Sequence, residues 1–231
     1  MKLCTILMSA TLALVMPAFA EDDMLSAAAQ AQADGELVKG KSSFKETFVN
    51  PTADFTAYDK ILLGDAQFEF RDVGPGQKYR SNMRSTGAKS EFGILEEDRE
   101  KFESVVGEAF TKELSRSKKF DIVTEAGPGT ILLEGAVLDI VSHVPPEITG
   151  MSETYLATVA TATLVLELLD SQTGEVLAYV EERRKIGRPG GQIDQFSRPA
   201  NSVTVWAEIT RWARGAASRL RSSMEKAQKG R

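Results

Sequence analysis

The chain has 231 residues, a formal net charge of −5, one cysteine and one histidine. This length suffices for one sizeable domain, and the acidic balance argues against a general nucleic-acid binder, which is normally basic. The only cysteine, Cys4, lies in a leading segment that we expect to be removed. A Cys–His nucleophile and a zinc site built from several Cys or His ligands are therefore excluded in the mature chain.

Residues 1–20 have the pattern of a secretory signal peptide. Lys2 provides a positive start, a mostly apolar run follows, and Pro17 breaks it. Small residues then satisfy the rule for signal peptidase. The run is shorter than the roughly 20 residues that span a bilayer, and no second such run follows, so we expect no transmembrane segment. The predicted cleavage-site residues are Ala18, Ala20 and Glu21.

Cys4 does not fit a lipid attachment site. Lipidation of bacterial envelope proteins needs a cysteine at the end of the apolar run, whereas Cys4 lies at its start. We therefore expect an exported periplasmic protein without a lipid anchor. Since no cysteine follows, the mature domain forms no disulfide and depends on its core alone.

The rest of the chain divides into a leader, one domain and a short tail. Residues 21–53 begin with many alanines and few large apolar residues, which predicts a loosely ordered N-terminal leader. We assign residues 54–226 to a single domain and residues 227–231 to a tail. Residues 60–71 alternate between apolar and polar side chains, as in a strand. Residues 72–93 contain four glycines and predict a long loop, a common place for binding residues.

Two segments have helical periodicity. Residues 96–119 place apolar residues three and four apart, and their acidic start suits the helix dipole without any metal site. Residues 202–225 predict a second helix, with Asn201 and Ser202 as candidate caps. The apolar stripe of the first helix consists of Phe102, Val105, Val106, Ala109, Phe110 and Leu114.

The strands predicted between the two helices complete an α+β domain. Residues 119–125 form a short strand, residues 130–144 a long one that is apolar on both faces, and residues 154–170 pair with 174–187 across a turn. We predict a mostly antiparallel sheet of about five strands with both main helices packed on it, on one face.

The turn at residues 171–174 specifies a hairpin register that divides a charged run. Gly174 suits a positive φ in a bulged hairpin. Pairing from this turn places Leu166 opposite Val180 and Thr163 opposite Arg183. Alternation then sends three of the five charges at residues 181–185 to a solvated face. The other two, Glu182 and Arg184, turn to the apolar face, where they either form a partly buried ion pair beside a helix or line a pocket.

Motifs for catalysis are missing, and the remaining candidates are weak. The sequence contains no H-E-x-x-H, no G-x-S-x-G and no dinucleotide or P-loop fingerprint. As the sole histidine, His143 is a candidate general base or pH sensor. Its place at a strand end beside two prolines is more typical of a surface residue with a local hydrogen bond. A carboxylate pair for hydrolysis stays open, but Glu134 and Asp139 fall on opposite faces under strict alternation. We predict no catalytic residues, no metal and no cofactor.

The C-terminal helix is the most basic part of the chain. From Val205 to Arg231 there are seven basic residues and two acidic ones. Arg211 and Arg214 can meet an anionic lipid headgroup or an acidic partner, which would make this helix a membrane-surface or docking element. The simpler interpretation is that these arginines solubilise its outer face and complement the helix dipole.

Four segments taken together resemble a known family. They are "ADFTAYDKILL", "FTKELSRSKKFDIVTEAGPGTILLEGAVLDI", "TLVLELLDSQTGEVLAYVEERR" and "VTVWAEITRWARGAASRLR". This ordered set, over residues 54–222, is similar to the bacterial envelope family called domain of unknown function 3313. The resemblance implies an exported, often lipid-anchored domain without an assigned enzymatic activity or catalytic residues. The chain departs from the lipoprotein members because it lacks a cysteine at the cleavage point.

These observations predict a periplasmic, non-enzymatic protein that binds or scaffolds a component of the cell envelope. Its partner would be an envelope protein or an anionic envelope component. The candidate binding residues are Glu182, Arg184, Arg211 and Arg214. Two alternatives stay open: a carboxylate-based periplasmic hydrolase with its site near residues 72–93, and a peripheral membrane protein that uses the basic helix.

Overall fold

The structure, a computed structural model, describes residue 31 and residues 35–73, 91–144, 155–187, 198–199 and 201–229. Over these residues it shows a seven-stranded mixed sheet, a separate pair of short strands and two long helices. The strands are β1 (Val38–Lys39), β2 (Glu46–Val49), β3 (Lys60–Phe70), β4 (Asp121–Val123), β5 (Thr130–Ser142), β6 (Tyr155–Leu156), β7 (Thr158–Asp170), β8 (Val176–Gly187) and β9 (Arg198–Pro199). The helices are α1 (Glu96–Leu114) and α2 (Ser202–Gln228).

The main sheet has the order β1-β2-β8-β7-β5-β3-β4, and β6 pairs with β9. The prediction of about five mostly antiparallel strands is therefore wrong. β3 pairs in parallel with both of its neighbours, β4 and β5. Two further strands, β1 and β2, come from residues that we predicted to belong to a loosely ordered leader, and β2 pairs with β8.

The parallel pairing follows from the connection through α1. β3 runs to one end of the sheet, α1 returns the chain to the other end, and β4 then starts beside the first residue of β3. A helix between adjacent strands is the usual crossover that makes strands parallel. Both strands and the helix were predicted from the sequence, but this crossover was not.

The β7–β8 hairpin has the predicted register over most of its length. Leu166 pairs with Val180 and Thr163 with Arg183, and Gly174 has the positive φ of 73° that the turn requires. Next to the turn, the same predicted register places Leu169 opposite Leu177, and this is wrong, because a register shift brings Leu169 opposite Val176.

Both helices pack on one face of the sheet, which we call the helix face. One core cluster joins Phe102 and Val106 of α1, Ala213 of α2, and Leu164 and Val180 of the sheet. The cap predicted for α2 is present, since the Asn201 side chain accepts a hydrogen bond from the backbone N–H of Thr204 at 2.9 Å. The opposite, second face carries a small cluster of Ala31, Leu37, Leu169 and Val176.

One edge of the sheet is only partly covered. β4 pairs with Lys60–Leu62, the first three residues of the eleven in β3. Beyond Leu62, no strand of the described structure lies on the outer side of β3. Gly64, Asp65 and Ala66 are exposed there. We call residues 63–70 the open edge.

Candidate functional site

A cleft of about 120 Å³ opens between α1 and the sheet beside the open edge. Its floor is formed by β5 and β7, for example by Leu133 and Leu166, and its walls by Phe68 of β3 and Phe110 of α1. The lining is predominantly apolar, and such a cleft with few polar groups is the usual form of a ligand site.

The cleft lies where a glycine of α1 follows a packed aromatic contact with β3. Phe102 packs edge-on against Phe68 and Phe70, with ring centroids 6.2 and 6.0 Å apart. Five residues further along α1, Gly107 has no side chain, and a Cβ added there would meet nothing within 4 Å. On the floor, a Cβ at Gly135 would meet only Leu166 in side-chain contact, at 3.4 Å.

Acidic residues lie beside the cleft, and we call this group its acidic rim. Asp65 lines the cleft, and Glu69 lies further along β3 with its side chain turned to the second face, because Phe68 and Phe70 on either side of it contact Phe102. Glu100 and Glu103 precede Gly107 on α1. All four are exposed, and none forms an ion pair in the described part of the chain. These exposed negative charges favour a positively charged ligand.

Sequence reasoning missed this site, although two signals were present. Gly107 interrupts the helical pattern of residues 96–119, and Gly135 interrupts an apolar strand. A glycine inside either element marks a place where a backbone or a ligand approaches closely. The spacing between helix and sheet, which makes the cleft, follows only from the folded chain.

Glu182 and Arg184 lie on the helix face, as predicted, in an ion-pair network. Glu182 Oε2 is 3.0 Å from Arg184 Nε and 2.7 Å from Arg219 Nη2. The Glu182 side chain is only 6% exposed. Arg219 also donates to the Ser43 carbonyl at 3.0 Å and stacks 4.3 Å above the Phe44 ring. This network joins β8, α2 and the segment before β2. We therefore assign a structural role to Glu182 and Arg184.

Arg211 and Arg214 form other ion pairs, one within α2 and one between α2 and α1. Arg211 bonds to Glu208, and Arg214 Nε lies 3.4 Å from Glu113 Oε1, which also bonds to Arg116 at 2.5 Å. Burial alone would raise the pKa of Glu113, but the two arginines reverse this and lower it. No ion pair between described residues links these residues to Glu182 and Arg184, so the four candidates do not form one site.

Asp139 has a strained backbone and turns to the second face. Its φ of 53° is the only positive value among the non-glycine residues that the structure describes, and it lies at a bulge in β5. Its carboxylate bonds to Arg71 Nε at 2.5 Å and to Arg183. The hydrogen bonds from Arg71 lead the effects that lower the pKa of Asp139 to about 2. Arg71 also bonds to Glu91 at 2.8 Å.

The prediction that Glu134 and Asp139 lie on opposite faces of the sheet is wrong because of this bulge. Glu134 pairs with Glu167, which shares the second face with Thr163 and Arg183. Because Asp139 bonds to Arg183, it faces the same side. One extra residue in β5 reverses the alternation between the two carboxylates.

Glu167 is a buried carboxyl group. It is 3% exposed, and neither of its oxygens has a hydrogen-bond partner among the residues that the structure describes. Burial, and then the charge of Glu134 directly opposite, raise the pKa of Glu167 to about 7. Burial also raises the pKa of Glu134, with a further contribution from Asp65.

His143 makes the local contact expected of a strand-end histidine. Its Nε2 lies 2.8 Å from Thr161 Oγ1, on the neighbouring strand β7. The predicted signal peptide with Ala18, Ala20 and Glu21, and most of the 72–93 loop, lie outside the described residues. Within the described ranges, no helix combines the length and the apolar character needed to cross a membrane, and no three His, Cys, Asp or Glu side chains are grouped as metal ligands.

The solved structures that match this chain have low sequence identity to it. One is a neuraminyllactose-binding hemagglutinin homolog from Helicobacter pylori, with 14% identity, a TM-score of 0.38, and coverage of 83% of this chain and 93% of that one. Another is the PelC dodecamer from Paraburkholderia phytofirmans, with 13% identity, a TM-score of 0.33, and coverage of 76% and 95%. A Xanthomonas campestris protein of the DUF330 family has 16% identity, a TM-score of 0.36, and coverage of 78% and 91%. At these scores none of them supports an argument on function.

No curated protein matches the chain. The family model described as "Protein of unknown function (DUF3313)" matches residues 36–215. This range confirms the resemblance found in the sequence, and it also includes β1 and β2. Because the match extends over most of the chain, the protein belongs to the DUF3313 family.

Proposed function

We propose that the protein is an exported, non-enzymatic component of the bacterial envelope that binds an apolar group of another envelope component in the cleft between α1 and the sheet. The signal-peptide pattern of residues 1–20 supports export to the periplasm. The apolar cleft is the observation that carries the binding role, because it combines apolar walls, an open mouth and a charged rim.

The carboxylates of the second face support a binding role over hydrolysis. A carboxylate hydrolase needs two carboxyl groups that reach the scissile bond. The oxygens of Glu167 are shielded from solvent, and those of Asp139 are bonded to Arg71 and Arg183. Neither residue is therefore arranged to act as an acid or a nucleophile on a substrate.

The ion pairs of α2 also weaken the case for membrane attachment through this helix. Glu208, Glu113 and Glu182 each hold an arginine of α2. Much of the positive charge that would attract anionic lipids is thus neutralised within the protein.

A pair of helix glycines provides a direct test of the cleft. Gly107→Leu fills the mouth of the cleft, whereas Gly215→Leu adds the same side chain to an exposed position of α2 outside the cleft. The probe is N-phenyl-1-naphthylamine, an apolar dye that fluoresces when it leaves water. We expect the unmodified protein and the Gly215 variant to bind the dye equally. The Gly107 variant should bind it at least tenfold more weakly, because the leucine takes the place of one buried apolar group of the dye. Equal binding by both variants, or no binding by the unmodified protein, would refute the proposal.

A further inference from the structure

We infer that the occupant of the cleft is an extended peptide segment of a partner protein, which adds as a short strand to the open edge of β3 and places one apolar side chain in the cleft. The segment carries basic residues beside its apolar residue. This inference rests on the binding role proposed for the cleft, and it adds the chemical class of the ligand.

The open edge provides the backbone part of such a site. An edge strand presents unpaired N–H and C=O groups, which an extended peptide can use for main-chain hydrogen bonds. β4 covers only Lys60–Leu62, and Gly64, Asp65 and Ala66 beyond it are exposed. A bulge between Leu63 and Ala66 interrupts the ladder with β5, which limits regular pairing to a short partner.

The cleft provides the side-chain part. A strand added to β3 would lie about 4.8 Å from it, with alternate side chains turned to the helix face. The cleft begins on that face, because Leu63 and Phe68 of β3 line it together with Phe110 of α1. Its volume of about 120 Å³ approaches the ~150 Å³ of engineered apolar cavities that hold one benzene. It therefore accepts one aliphatic or aromatic side chain.

The acidic rim selects the charge of the partner. Asp65 and Glu69 lie on the open edge, and Glu103 lies on the facing side of α1. Cross-strand pairs of opposite charge stabilise a sheet, and like charges destabilise it. A second copy of β3 would place acidic residues against acidic residues, so self-association through this edge is disfavoured. A lysine or arginine of a partner peptide would instead be attracted by the negative charges of Asp65 and Glu69.

β8 is also incompletely covered, but it does not offer the same combination. β2 pairs with β8 only up to Glu181, so residues 182–187 continue beyond it. That stretch carries Arg183, Arg184 and Lys185, and basic residues on an edge protect it from pairing. None of its residues lines the apolar cleft.

The test begins with selection of peptides from a random dodecapeptide phage library on the purified protein. Selected peptides are synthesised and titrated against the unmodified protein and the variants Gly107→Leu and Gly215→Leu. We expect sequences with an apolar residue flanked by Lys or Arg. Their affinity should fall about ten- to a hundredfold with Gly107→Leu, stay unchanged with Gly215→Leu, and fall at least tenfold when the basic residues are exchanged for Glu.

Two measurements separate strand addition from simple occupation of the cleft. N-methylation of alternate peptide amides should weaken binding about fivefold or more in one register and leave it unchanged in the other, because only alternate N–H groups face β3. Hydrogen exchange at residues 63–70 should slow when the peptide binds.

Each other outcome has a distinct meaning. If no peptide is selected, or if N-methylation has no effect in either register and exchange at the open edge does not change, strand addition is refuted, although dye binding to the cleft can still hold. If hydrogen exchange at the open edge is already slow without peptide and the protein is a dimer in solution, the edge is occupied by a second copy of the chain, and the inference of a partner peptide is refuted. Loss of dye binding by the unmodified protein refutes the proposed function itself.

Discussion

Glu167 makes the stability of the protein depend on pH in a way that one substitution can isolate. The carboxyl group is buried on the second face, opposite Glu134, without a hydrogen-bond partner in the part of the chain that the structure describes. Its pKa rises from the ordinary 4.5 to about 7 in the folded protein. The folded state therefore binds this proton more tightly than the unfolded state. Its contribution to stability is fully present below pH 4.5, and it is lost as the pH rises through about 7.

The size of the effect follows from the same two values. Each tenfold change in proton affinity corresponds to about 1.36 kcal/mol, so the change from 4.5 to about 7 corresponds to about 3 kcal/mol. Gln has nearly the same shape as a protonated Glu and does not titrate. We compare the free energy of unfolding of Glu167→Gln with that of the unmodified protein. The difference, in favour of the variant, should be about 3 kcal/mol larger at pH 8 than at pH 4.5.

The assay is urea unfolding followed by the fluorescence of Trp206 and Trp212, at several pH values between 4.5 and 8. Glu69→Gln is a matched control, since Glu69 is exposed on β3 and the substitution should change the free energy of unfolding by less than about 0.5 kcal/mol at every pH. Glu134→Gln removes the facing charge and should move the transition of Glu167 to lower pH. A difference between Glu167→Gln and the unmodified protein that does not change with pH would contradict this account of the second face.

Three further predictions concern stability measured by the same unfolding assay. Gly107→Leu and Gly215→Leu should each raise the free energy of unfolding by about 0.5–1 kcal/mol, because both replace an exposed helix glycine without a clash; a loss at Gly107 alone would mean that the cleft cannot accept a side chain. Asp139→Gly should be more stable than Asp139→Ala by about 1 kcal/mol, since both lose the arginine contacts but only glycine relieves the positive φ; equal stabilities would argue against strain. Asn201→Ala should cost about 1 kcal/mol through loss of the cap on α2, and no cost would show that the bond to Thr204 contributes nothing.

The sequence predicted the parts of the fold that depend on neighbouring residues. The β7–β8 hairpin followed from alternation and from one turn with Gly174, and the two helices followed from their apolar stripes. It also placed Glu182 and Arg184 on the helix face. Each of these features is decided within about twenty residues, where pattern and turn chemistry act together.

Features that depend on distant residues were not predictable in this way. The two strands β1 and β2 have two and four residues, too few for a period to be recognised, and they are stabilised by pairing with β8. The parallel position of β3 depends on where α1 crosses the sheet. The bulge at Asp139 exchanges the faces on which the remaining residues of β5 lie. Strict alternation along the sequence cannot anticipate this change.

The pairing of β2 with β8 and the contact between Arg219 and Ser43 both join the start of the domain to its end. The two residues are 176 positions apart, and the strand that follows Ser43, β2, pairs with β8, near the other end of the chain. Contacts over such distances are slow to form because a long loop must close first. During synthesis β1 and β2 can pair with each other early, but β2 can join the main sheet only after β8 has been made. We therefore expect these two strands to join the sheet late in folding.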